Sequence, residues 1–145
     1  MHALQWLYEK ENKIFDAVLM LQPTSPIRNI AEIKKAIRKF KKNDLKSLIS
    51  VTKMKEHPYE CIKYVNKKWN YLVKNDGAKI INRQNYKKNF YFIDGSFYLA
   101  KVNFLKINKS FFSEKHTNIF ILNQNWPVDI DVKDDLLIAN SFIKK

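Results

Sequence analysis

Apolar residues recur along this chain at two spacings. Ala3, Leu4, Leu7 and Tyr8 fall at helical spacing, so residues 2–11 read as a short amphipathic helix. Ala17 to Leu21 is a continuous apolar run with polar neighbours. Such a run suits a strand buried on both faces, as in a parallel sheet. It ends at Gln22-Pro23-Thr24-Ser25-Pro26, where two prolines must leave the sheet. Asn29 followed by Glu32 resembles a capping box, and Ile30, Ile33, Ile37 and Phe40 form the apolar stripe of the helix it opens. Leu48 to Val51 is the next buried strand. Helix, strand, helix, strand is the order of an α/β sheet.

The middle of the chain departs from that rhythm. Residues 53–92 hold short alternating or aromatic stretches, YECIKYV and KWNYLV, which predict antiparallel strands or a protruding excursion. Phe90 to Ala100 reads as strand, turn, strand, with the turn at Asp94-Gly95. A short helix follows from Val102 to Asn108, then a buried strand over Ile119 to Leu122. Val128-Asp129-Ile130-Asp131 leads into a terminal helix whose inner side is expected to carry Leu136, Leu137, Ala139, Asn140 and Ile143. No internal repeat or linker interrupts the pattern, so residues 1–145 read as one α/β domain with a β-rich excursion at 53–92.

Composition narrows the classes. At 145 residues, with 46% hydrophobic positions, the chain is long enough for a real core. A single cysteine, Cys61, excludes an internal disulfide and a cysteine-rich zinc site. The apolar run at Ala17 is far short of the ~20 residues of a membrane span, and a reducing, cytoplasmic setting is expected. The net charge of +13 can attract polyanions. Its lysines are spread along the sequence, however, with no block longer than Arg38 to Lys42. A solvated basic surface is therefore the expectation, with neither membrane nor nucleic acid as partner.

Four groups of residues could carry chemistry. Asp129 and Asp131, two residues apart in an extended segment, can share a hard divalent cation such as Mg²⁺. Equally, Asp131 with Asp134 reads as the cap of the last helix. Gln22, Thr24, Ser25 and Arg28 sit just past a strand end, where open α/β sheets bind ligands. An amide, two hydroxyls and a guanidinium suit a polyhydroxylated acid or a phosphate, although a proline-stiffened turn explains the segment as well. Arg83 with Gln84 can grip a carboxylate, or stand as a surface pair. Asp94-Gly95 alone is a hairpin turn.

Taken in order, VLMLQPTSPIRN, SLISVTK, HPY, RQ, DGSFYLAK and PVDIDVKDDLLIA resemble the N-acylneuraminate cytidylyltransferases, the CMP-sialic acid synthetases, from about His2 to Ala139. The resemblance implies a Rossmann-like nucleotidyltransferase sheet. It implies transfer of CMP from CTP to a nine-carbon 2-keto sugar acid, with release of pyrophosphate. It makes Asp129 and Asp131 the Mg²⁺ ligands. Gln22, Thr24, Ser25, Arg83, Gln84, Asp94 and Gly95 become the sugar-acid contacts, and 53–92 the dimerisation segment of a homodimer. Family members usually have Asn-Gly where this chain has Asp94-Gly95. They also open with a strand and a CTP-gripping loop that this sequence lacks, so an N-terminally truncated sheet is expected. The competing readings are a non-catalytic family fragment that dimerises with or complements another chain, and a basic nucleic-acid-binding domain.

Overall fold

The computed structural model describes residues 2–73, 89–123 and 128–143. It divides into two compact units, one formed by residues 1–52 and 93–145, the other by Lys53–Phe92.

The larger unit begins with helix α1 (His2–Glu11), none of whose residues is buried. Strand β1 (Ala17–Met20) follows, then helix α2 (Ile30–Lys42), which Asn29 opens. The Asn29 side chain accepts hydrogen bonds from the amides of Ala31 and Glu32, which would otherwise be unsatisfied in the first turn. Glu32 does not complete the expected capping box. Its carboxylate instead accepts from the Asn123 amide. Strand β2 (Ser47–Lys53) is buried along six of its seven residues.

Strand β5 (Tyr91–Lys101) is continuous where the sequence predicted a strand, a turn and a second strand. Gly95 takes a positive φ of 73° inside it and the chain carries on. Helix α3 (Val102–Asn108), strand β6 (Thr117–Ile121) and helix α4 (Lys133–Ile143) complete the unit. The sheet order is β1-β5-β2-β6, with β1 antiparallel to β5 and β6 parallel to β2. The Lys101 amide donates to Lys46 O, and further along Ser50 meets Phe97, so β5 runs against β2 as well.

This is a mixed α/β sheet, consistent with a Rossmann-like fold. The apolar run at Ala17 does not lie in a parallel environment. It forms an edge of this sheet, and each residue of β1 is only half-buried. The core under α2 joins Ala36 and Phe40 to Leu48, Phe97, Leu99 and Leu122. Across the sheet, Phe104 and Leu105 of α3 pack with Ala100. On α4 only Ala139, among the expected inner residues with described side chains, is buried. Leu136 and Leu137 are 49% and 69% exposed.

In the smaller unit, β3 (Ile62–Val65) and β4 (Lys68–Tyr71) form the antiparallel pair expected from their alternation. Val65 pairs with Lys68 across a two-residue loop, and Asn66 and Lys67 both have positive φ, as a tight hairpin of that length favours. The ring of His57 packs against Tyr59 and Phe90.

Candidate functional site

Three segments far apart in sequence meet at the end of β1. The chain leaves β1 through Gln22 and turns back on itself, the Ser25 amide donating to Gln22 O at 3.1 Å. Arg28 secures this loop. Its Nε donates to Ser96 O on β5 at 3.1 Å, and a terminal nitrogen donates to Gln22 O. Arg28 therefore spends these donors on main chain. It staples the loop to the sheet, in contrast to the ligand-gripping or solvated side chain expected of it.

From β5 comes Asp94, 3% exposed. Its Oδ1 accepts from Ser50 Oγ at 2.5 Å and from the Ser96 amide at 2.9 Å. Oδ2 is buried without a partner among the described residues. Ser50 lies in the middle of β2, fully buried, and also accepts from the Phe97 amide at 3.0 Å. Gly95 is required by space as well as by its φ. A Cβ there would lie 2.3 Å from Gln22 Oε1 and 3.1 Å from Ser25 Oγ. The missing side chain lets Gln22 lie directly against the strand.

The third segment carries Asp129. Ser25 Oγ faces Asp94 O at 3.5 Å and Asp129 Oδ1 at 3.4 Å. The Ile130 amide donates to Thr24 O at 2.8 Å, which holds the Asp129 segment to the loop. Asp129 and Asp131 are both exposed, as is Thr24, while Gln22 is half-buried and Ser25 is buried. Asp131 does not cap α4. Asp135 does, its Oδ2 accepting from the amides of Asp131 and Val132, both at 3.0 Å. Arg83 and Gln84 lie outside the described residues.

The structure thus brings together Gln22, Thr24, Ser25, Asp94, Gly95 and Asp129. It adds Ser50 of SLISVTK and Tyr98 of DGSFYLAK, which spacing alone does not single out. Tyr98 pairs with Met20 of β1. Burial, and then the charges of Asp94 and Asp129, push its hydroxyl above the ordinary value of 10.0. The result is a surface rich in oxygen and amide groups at a strand end.

No family model matches the chain. Curated relatives do. A post-translational flagellin modification protein B of Campylobacter coli is 30% identical over 131 residues, 90% of this chain and 54% of that protein. A pseudaminic acid cytidylyltransferase of Campylobacter jejuni is 28% identical over 95% of this chain and 58% of its own length. A CMP-N,N'-diacetyllegionaminic acid synthase of Legionella pneumophila is 28% identical over 97% of this chain and 60% of its own length. These similarities support the sialic-type CMP synthetase family. The chain spans 54% to 60% of the length of these three relatives. Among the described residues, no helix is long and apolar enough to cross a membrane.

Proposed function

We propose that this chain acts as a cytidylyltransferase that transfers CMP from CTP to a sialic-type sugar acid and releases pyrophosphate. The observation that carries this reading is the placement of Ser25 between Asp94 and Asp129. It gathers three segments of the family resemblance around one strand end. Gln22, Thr24 and Ser25 offer an amide and two hydroxyls to the sugar acid. Gly95 lets Gln22 lie against the strand, and Arg83 with Gln84 would hold the carboxylate. The family resemblance also suggests a homodimer in the cytoplasm.

Asp129 and Asp131 fit a magnesium ion by the chemistry of their donors. Both are exposed carboxylates, and Mg²⁺ takes one or two carboxylates while keeping waters and substrate phosphates. Bound there, the ion would neutralise charge developing on the phosphate oxygens. In the reaction the anomeric hydroxyl attacks the α-phosphorus of CTP, a new P–O bond forms and the bond to pyrophosphate breaks. The hydroxyl proton leaves to solvent or to a neighbouring carboxylate.

Titration of the purified chain with CTP, with and without Mg²⁺, tests the reading, followed by mass-spectrometric detection of CMP-sugar. Saturable Mg²⁺-dependent binding is expected, and Asp129→Ala should lower turnover by about 100-fold or more, the usual loss when a group stabilising transition-state charge is removed. The alternative reading is that this chain acts only together with another polypeptide. Absence of CTP binding by this chain alone, with binding restored by a polypeptide supplying the remaining sequence, would establish that reading.

A further inference from the structure

We propose that the outer face of α2 docks on the phosphate backbone of duplex DNA. The longest basic block of the sequence, Arg38 to Lys42, lies here, and the helix aligns it with Lys34 and Lys35. Between residues 34 and 42 the exposed positions are Lys34, Lys35, Arg38, Lys39, Lys41 and Lys42, and every one is cationic. At 3.6 residues per turn they span a continuous arc of about 160°. Ala36 and Phe40 fill the opposite side and are buried. The helix's acid, Glu32, is buried and turned to the Asn123 amide. Asp44, beyond the helix end, pairs with Lys101. Among the described residues none of the six cations has an acidic partner, and only Lys39 is otherwise engaged, at Ile119 O and over the Phe120 ring.

The helix macrodipole accounts for cations in the last turn, Lys39, Lys41 and Lys42, but not for Lys34, Lys35 and Arg38 before it. The make-up of the arc indicates the partner. Lysine is depleted from protein–protein interfaces, whose centres are apolar, and between residues 34 and 42 none of the exposed positions is apolar. A flat bilayer reaches only the crest of a convex arc this wide. The major groove of B-form DNA, about 12 Å wide, admits a helix and presents phosphates on both flanks. A-form RNA closes that groove to a helix. Every donor in the arc is a charged lysine or arginine, so contacts to phosphate dominate the docking.

The test is binding of the full chain to a random-sequence DNA duplex, by fluorescence anisotropy across a salt series. Binding should weaken steeply with salt. The triple variant Lys34→Glu, Arg38→Glu, Lys41→Glu should lose about 100-fold in affinity at low salt and flatten the salt slope by about three. Lys34→Gln, Lys35→Gln, Arg38→Gln, which spares the last turn and its dipole contacts, should lose at least about tenfold, with circular dichroism confirming the fold. The equal charge reversal Lys63→Glu, Lys67→Glu, Lys68→Glu on the exposed β3–β4 pair should change affinity less than about threefold. No binding at low salt overturns the proposal. So does an equal loss from the β3–β4 variant, which would mean net charge alone, or tighter binding to phosphatidylglycerol vesicles than to DNA.

Discussion

At Gly95 the backbone and two side chains compete for one space. A methyl group there must move Gln22, and the positive φ adds strain of about 1–2 kcal/mol for any L side chain. Gly95→Ala should therefore unfold at lower urea and weaken sugar-acid binding together. Ser50→Ala poses a different test. It removes the donor to Asp94 and the acceptor for the Phe97 amide at a fully buried position, so a loss of about 1–3 kcal/mol is expected by urea denaturation. Tyr98 supplies a pH signature. Its raised pKa means the folded chain keeps a proton that the unfolded chain releases above pH 10.0. Stability should fall as pH rises past that value, and Tyr98→Phe should remove that part of the slope in alkaline denaturation.

Among the elements, the helices were the most legible. Periodicity located α1, α2, α3 and α4, and the Asn29 cap stands where its side chain predicted it. Asn29→Ala should cost about 1 kcal/mol of stability, read from the denaturation midpoint at constant slope. The strand environments were less legible, because an apolar run does not state which neighbours it has. Ala17–Met20 reads as a central parallel strand and is an antiparallel edge. Asp94-Gly95 carries the usual signal of a hairpin. Here the same positive φ serves a continuous strand, since the Asp94 carboxylate bonds back to Ser96 and across to Ser50. Ser50 itself was invisible, as a serine inside a buried run has no periodic signature. At the start of α4, Asp131 and Asp134 were spaced for capping, yet Asp135 performs it. That left the Asp131 carboxylate out of the cap, a distinction that spacing alone does not make.

At the scale of the whole molecule, among the described residues the sheet ends at β1 and β6. Beside β1 stand Ile14, 80% exposed, and Phe15 and Leu21, each about two-fifths exposed. An unpaired edge flanked by apolar side chains is a template for another strand. The purified chain should self-associate with rising concentration in light scattering. Phe15→Lys with Leu21→Lys, which places charge at both ends of the edge, should reduce that association without shifting the denaturation midpoint by more than about 0.5 kcal/mol.

The junction at Ser25 also has a history in time. Its oxygen meets Asp94 across 69 residues of chain and Asp129 across 104. Contacts that distant form late, because the intervening loops must close first. The helices and the β3–β4 pair can gather early on local contacts, whereas this junction waits for the whole sheet to align. The Ile130 amide, held by Thr24 O, is then a clock for the last step. In a refolding pulse-labelling experiment it should gain protection from hydrogen exchange after the amides of α2, so readiness to bind would be the final property the chain acquires.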